Sequence, residues 1–471
     1  MDFGNGTYQG AANGLAILWK NNLLPKGFCP DVTIQRIKGI FHGTKALTRK
    51  DGSLEEAFPF EGSFCVTALV AYDLLSAMEL LGNKLQGDTR SEYISIIEPM
   101  IRFLHRADET HGLISNHLAT AVAGLVKWQS LTGEDVSRRT GQILSRITDN
   151  QSPEGWFSEY GGCDPGYQSL CTYYLAEAHR VNPELGLLEP LRKSIQFLWY
   201  FAHPDGSFGG YYGSRNTRCY YPGGIESLSP EIPEAASLAA FMRESIQNQK
   251  VVTLASIDEP NLIPTFTSYC LAASKPRVES EKPLPVKQKP FQESFKQAGL
   301  FIDHGQDHHT IVSTSKGGVV YHYVEGRLKV CNPGLASQSA KKSYSTQAYD
   351  PTNPVGIKDG EITVECKFTP VLRRLPTPFQ FIILRILNLT IMRNYGARDM
   401  VKQFLVKFLI TGKMKHLGIN RRVIKLGKDL QIGDTPTLPP GMNALHQTKP
   451  FSAIHMASQG YWQIQDEEVL A

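Results

Sequence analysis

"VSRRTGQILSRITDNQSPEGWFSEYGGCDPGYQSLCTYYLAEA", residues 136–178, reads as a helical pattern, a glycine turn and a second helical pattern. The first helix is the more charged, and the second is apolar and rich in small residues. Between them stands Glu154-Gly155-Trp156-Phe157. Glycine enters the left-handed region without penalty at a helix end, and the large apolar residues after it can fold back as a plug. The same pattern recurs at Asp51-Gly52-Ser53-Leu54, His111-Gly112-Leu113-Ile114 and Asp205-Gly206-Ser207-Phe208. Such helical pairs bury a continuous core only by stacking on their neighbours. The more apolar second helices, NHLATAVAGLVKW (116–128), GYQSLCTYYLAEA (166–178) and PEAASLAAFM (233–242), are therefore predicted to form an inner ring, with the first helices outside it. The expected result is an α/α toroid, an incomplete barrel of helical hairpins, over residues 1–273.

Composition changes at SKPRVESEKPLPVKQKP, residues 274–290, where Pro, Lys and Glu leave almost nothing to bury. Residues 274–292 are assigned to a linker. Beyond it, TIVSTSKGGVVYHYVEGRLKVCNPG and GEITVECKFTP contain short β-branched runs broken by Gly and Pro, the pattern of an antiparallel sheet domain. The chain is thus predicted to be α+β and multidomain, with a β-sandwich over 293–471 and a helical insertion at 379–418.

With 49 basic and 45 acidic residues in 471, the net charge of +4 does not resemble that of a nucleic-acid binder. The eight cysteines stand singly, with neither zinc-ribbon nor disulfide-framework spacing. MDFGNGTYQG lacks the basic-then-apolar pattern of a secretory signal, so the expected location is the cytoplasm or the inner face of a membrane. Residues 367–428 hold fourteen Lys or Arg against the single acid Asp399. Their apolar run, 379–391, is interrupted by Arg385 and is too short to span a bilayer. This insertion reads either as a helical pair packed on the sandwich or as a peripheral contact with an anionic membrane or an acidic polymer.

All four glycine turns should open on one face of the toroid, bringing together the residues a few positions after each: Glu61 and Ser63, Asn116 and His117, Asp164 and Tyr167, Arg215 and Asn216. An amide, an imidazole, a phenol and a guanidinium around one cavity suit proton removal beside a carboxylate, as in a uronate sugar. Asn116 serves equally as a helix cap, and Arg215 equally as a clamp on Glu226 or Glu231. The loop aromatics Tyr160, Tyr211, Tyr212, Tyr220 and Tyr221 are candidates for stacking on sugar rings, whereas Trp156, Phe157 and Phe208 read as plugs.

SNHLATAVAGL, EYGGCDPGYQSLCTYYLA and GSRNT, in this order before a β-rich region, resemble the heparinase II/III-like polysaccharide lyases. The resemblance implies a toroid followed by a β-sandwich and β-elimination on an acidic polysaccharide; the missing secretion signal departs from enzymes that degrade external polymers and fits a role in surface-polysaccharide biosynthesis. It puts Asn116 or His117 at the carboxylate-neutralising and base position, with Arg215 assisting, and Tyr167 at the acid/base position. A sheet-domain histidine, His304 or His309, would complete the site. Glu61, Asp164, Asn216 and the rim tyrosines would bind substrate. No cofactor or resident metal is implied; a divalent ion near His304, Asp307 and His308 is the lesser alternative. The family's His-x-His-x-x-Asp is reduced here to an irregular cluster. A uronate epimerase and a non-catalytic carbohydrate-binding or assembly protein of the same architecture remain open beside the lyase.

Overall fold

The computed structural model describes residues 4–446 except 57–58, 86–87, 110–112, 281, 340–341, 372–376, 395–396, 398–399 and 401–415. The second glycine turn at Gly112, the insertion over 401–415 and the end of the sheet domain from 447 lie outside the described residues.

Eleven described helices form the N-terminal part: α1 (Ala11–Lys20), α2 (Pro30–Leu47), α3 (Phe64–Leu81), α4 (Asp88–Arg106), α5 (Ser115–Thr132), α6 (Ser137–Thr148), α7 (Pro165–Val181), α8 (Leu188–Trp199), α9 (Pro222–Leu228), α10 (Pro233–Gln247) and α11 (Glu259–Ser274). The odd-numbered helices pack each on the next around a ring, and α11 returns to α1. The even-numbered helices lie outside. Their sequences show why. On α6 only Thr140, Ile143, Leu144 and Ile147 are buried, a single stripe at helical spacing. α3, α5 and α7 are buried nearly all round. α3, with the turn after it, is long and apolar enough to cross a membrane, but it is a core helix whose Asp73 accepts a 2.9 Å hydrogen bond from Asn13.

One helix departs from expectation. PEAASLAAFM belongs to α10, which packs on α8 and α9 and is therefore an outer helix. The inner position is taken by α9, PGGIESL, where a side chain on Gly224 would approach the Tyr173 backbone within 2.4 Å and one on Gly223 the Ser268 carbonyl within 3.0 Å. Two glycines thus let α9 fit between α7 and α11.

The turns repeat in detail. Gly52, Gly155 and Gly206 have φ of 86°, 98° and 88°. A Cβ on Gly52 would stand 2.0 Å from the Pro99 carbonyl oxygen of α4, and one on Gly155 2.2 Å from that of Lys193 in α8. Each of these two turns is pressed onto the next outer helix. Asp51 and Asp205 each accept hydrogen bonds from the amide and hydroxyl of the serine two residues on. Leu54, Phe157 and Phe208 are the buried plugs, while Trp156 is half-buried.

Residues 275–290 are not a free tether. Leu284 and Pro285 are buried, Lys282 pairs with Glu234 of α10, and Ser280 donates to the Pro233 carbonyl at 2.9 Å. The sheet region follows with β1 (Phe291–Phe295), β2 (Leu300–His304), β3 (His308–Ser313), β4 (Val319–Val324) and β5 (Arg327–Asn332), an antiparallel meander. β6 (Leu335–Gln338), β7 (Ser343–Ser345), β8 (Val355–Lys358), β9 (Glu361–Lys367), β10 (Thr369–Val371), β11 (Ile419–Lys425), β12 (Gln431–Thr437) and β13 (Ala444–His446) build two further antiparallel sheets, ordered β10-β7-β6-β13 and β12-β11-β9-β8. Between β10 and β11 lies helix α12 (Pro378–Leu389). Strand alternation divides the meander's two faces. Phe301, Val312 and Val320 pack on Ile362, Val364 and Ile424 of β9 and β11, which makes the sandwich. Leu300, Ile302, Ile311, Val319 and Tyr321 turn the other way and share one core with the toroid.

Candidate active site

The loops after Gly155 and Gly206 meet at the toroid mouth. Asp164 caps α7: its Oδ1 accepts the Tyr167 amide at 3.1 Å, and its Oδ2 accepts the Arg215 amide at 2.9 Å and the Thr217 amide at 3.4 Å. One buried carboxylate therefore fixes both the helix bearing Tyr167 and the loop bearing Arg215. Asp164 has a positioning role, its oxygens engaged by backbone amides.

Arg215 lies 4.7 Å from the centroid of the Tyr160 ring and 4.5 Å from that of Tyr167. Its Nη1 donates to Glu159 Oε1 at 2.7 Å, and Asn116 Nδ2 donates to Glu159 Oε2 at 2.7 Å. Asn116 is thus a side-chain partner of Glu159 within α5, whose N-cap is Ile114. Glu226 and Glu231, the alternative partners for Arg215, pair with Arg243 and His179. Burial raises the Glu159 carboxyl above its ordinary range, against the pull of Arg215. For Arg215 burial acts to lower the pKa, but Tyr167 and Glu159 outweigh it and keep the guanidinium charged.

The Tyr167 hydroxyl donates to Asn261 Oδ1 at 3.4 Å, which also accepts from Tyr221 at 2.8 Å. His117 Nδ1 is 2.6 Å from Glu109 Oε2. Burial opposes charge on His117, yet the Cys65 thiol and the Glu109 carboxylate beside it raise the pKa well above the usual imidazole value. Cys65 is itself pushed up by burial, against the pull of His117. Below these, Glu61 Oε2 accepts the Glu56 amide at 3.1 Å, and Ser63 donates to Glu56 at 3.0 Å. Burial, then the charge of Glu61, raises the Glu56 carboxyl. The His117 side chain is 24% exposed and Tyr160 is half-buried, so these two mark the entrance.

The other expected residues are placed differently. Tyr211, Tyr212 and Tyr221 are buried, and so is Tyr220, whose hydroxyl donates to the Met242 carbonyl at 2.7 Å. None of these rings presents an open face to a sugar. His304 and His309 are 3.3 Å apart through their Nδ1 atoms, and their ring neighbours are Phe291 and Tyr323. They belong to a cluster at the junction of the meander with the toroid, where His203 bonds Tyr212 at 2.8 Å and Tyr323 at 2.9 Å. His308 turns to Asp303 at 2.9 Å and Asp307 to Lys428 at 3.5 Å, and no group of metal-ligating side chains suited to an ion occurs among the described residues.

The sheet domain brings Lys316 and Tyr349 to these loops, beside Tyr321 and Ser313, which bond the Tyr211 amide and the Tyr212 carbonyl. Buried Lys316 donates to the Gly213 carbonyl at 2.9 Å and to Asn216 Oδ1, holding Asn216 at φ 59°. Tyr349 lies against Gly162, where a Cβ would stand 2.6 Å from its ring. Glu159, Glu109, Glu56, Asn261, Lys316 and Tyr349 escaped the sequence reading. Glu109 and Glu159 each stand near a glycine turn, which is the only signal that marks them.

Comparison with known structures decides the architecture. The crystal structure of heparinase III superposes with a TM-score of 0.52 at 11% identity, covering 89% of this chain and 62% of that one. The chondroitin AC lyase of Streptomyces coelicolor A3, in complex with chondroitin sulphate, gives 0.54 at 10% identity, covering 92% and 63%. The fold is that of the heparinase-like polysaccharide lyases. The chain spans less than two thirds of either structure. No family model and no curated protein matches its sequence.

Proposed function

We propose that the protein cleaves a uronate-containing polysaccharide by β-elimination at the toroid mouth. The observation that carries this reading is Arg215, held between the Tyr160 and Tyr167 rings and joined through Glu159 to Asn116. A substrate carboxylate entering past His117 meets two cationic groups and the Asn116 amide. Their hydrogen bonds stabilise the charge that develops as the adjacent C–H bond breaks. Tyr167 first loses its phenol proton to solvent, with Arg215 against its ring stabilising the phenolate, and the phenolate takes the C5 proton; the C4–C5 double bond forms, the C4–O bond breaks, and the phenol returns the proton to the leaving oxygen, which restores the phenolate. Glu159, raised toward protonation by burial, can take up a proton and yield Arg215 to the substrate. His117, its pKa raised beside Cys65 and Glu109, serves as a carboxylate neutraliser rather than a base.

The test follows the unsaturated uronate chromophore in the ultraviolet on a panel of acidic polysaccharides. Tyr167→Phe should leave the fold intact and lower turnover by at least about 10², and His117→Ala should be comparably impaired. A Tyr167→Phe protein turning over at the wild-type rate overturns the mechanism. Solvent deuterium incorporated without chromophore identifies an epimerase instead, and a bound polymer giving neither signal identifies a binding protein.

A further inference from the structure

Helix α12 presents an apolar face to solvent. Phe379 is 69% exposed and Ile382 and Ile386 are each 56% exposed, with Ile383 and Leu389 exposed beside them. At about 100° per residue these five side chains fall on one stripe. On the opposite side Phe381 is 57% exposed, while Asn388 and, in the turn after the helix, Met392 are buried. Among the described residues the main contact of α12 is that short turn, Ile391–Arg393. A stripe of large aliphatic and aromatic groups this exposed marks an interaction surface.

Its sequence surroundings are one-sided in charge, nine Lys or Arg against Asp399 over residues 372–415, whereas Lys367, Arg422 and Lys428 further out are paired with Asp350, Asp434 and Asp307. The twelve residues of α12 extend about 18 Å, short of the ~30 Å hydrocarbon core, so the helix cannot span. An apolar stripe on a short helix within a basic segment has the character of an element that lies in the plane of an anionic interface. An acidic polysaccharide matches the charge but offers no hydrocarbon to receive Phe379, Ile382 and Ile386.

We propose that α12 docks the protein on an anionic lipid surface, with the Phe379, Ile382, Ile383, Ile386 and Leu389 face in the acyl boundary. The full chain is sedimented with vesicles of phosphatidylcholine alone and of equal parts phosphatidylglycerol and phosphatidylcholine. It should bind the anionic vesicles at low salt and weaken as salt is raised. Ile382→Glu/Ile386→Glu should bind at least about tenfold less tightly, with an unchanged melting temperature because both side chains are exposed. No binding of the wild type to anionic vesicles at low salt overturns the proposal. Unchanged binding by the double variant also overturns it, leaving a purely electrostatic surface such as an acidic polymer would use. A wild-type dimer that the variant converts to monomer, with no vesicle binding, assigns the face to a second copy of the chain.

Discussion

At the scale of single residues, Arg215 is the centre on which the candidate site turns, and Glu159 is its counter-ion at 2.7 Å. Glu159→Ala removes the carboxylate from a buried cation and should cost about 3–5 kcal/mol. Glu159→Gln keeps an acceptor for Asn116 and should cost less, and urea denaturation of the two variants measures the difference. Lys316 offers a pH test. Burial lowers its pKa from 10.5 to about 7, against the pull of Asp164. Between those values the unfolded chain binds more protons than the folded one, so stability is full above 10.5 and is lost as pH falls toward about 7. Lys316→Met should flatten that dependence; an unchanged slope would mean that Lys316 stays charged in the folded protein. Asn116, Tyr167 and Arg215 could be grouped from sequence because each follows a glycine turn, by 4, 12 and 9 residues. Glu159 was not, since a lone carboxylate beside a tyrosine carries no pattern until the loop folds back on α5.

Among elements, the glycine turns carried most of the legible fold, because they impose a backbone requirement that few residues meet. Gly155 combines φ of 98° with a carbonyl oxygen 2.2 Å from where its Cβ would lie. Gly155→Ala must adopt the left-handed conformation and displace α8, so it should lose at least about 1–3 kcal/mol by thermal or chemical denaturation. Phe157, buried in that turn, should cost about 3–5 kcal/mol as Ala, and the half-buried Trp156 less. Equal losses would mean that the indole carries as much of the plug as the phenyl ring. The inner helix after Gly206 was illegible for a related reason. PGGIESL, with one proline and two glycines, has poor intrinsic helix propensity, and its place depends on close approach to Tyr173 and Ser268. PEAASLAAFM imitates an inner helix by its small residues, but composition does not say which neighbour a helix meets.

For the whole molecule, the passage from helices to strands between Ser274 and Phe291 coincides with a change in composition, while the closeness of the two halves left no mark in the sequence. Phe295, Leu300, Ile302, Ile311 and Tyr321 of the sheet region share one hydrophobic cluster with Phe197, Phe201 and Tyr212 of the toroid. The halves should therefore melt in a single calorimetric transition, and fragments made by cleavage at residues 275–280 should still co-elute. Acid should separate them. Buried His203 bonds Tyr212 from the toroid and Tyr323 from the sheet, and burial lowers its pKa from 6.5 to about 4, with only a weak opposing pull from Asp205. His309 nearby is pushed down in the same way, by burial and then by the charge of neighbouring histidines. The folded protein keeps both neutral while the unfolded chain protonates them, so stability present above pH 6.5 is lost as pH falls toward 4. For His203 alone this amounts to roughly 3 kcal/mol at the acid end. His203→Gln cannot take up the proton, so its stability should vary less between pH 4 and 6.5, even if it is lower at neutral pH. A wild type and His203→Gln with parallel pH profiles would show that the junction does not sense acid through this histidine.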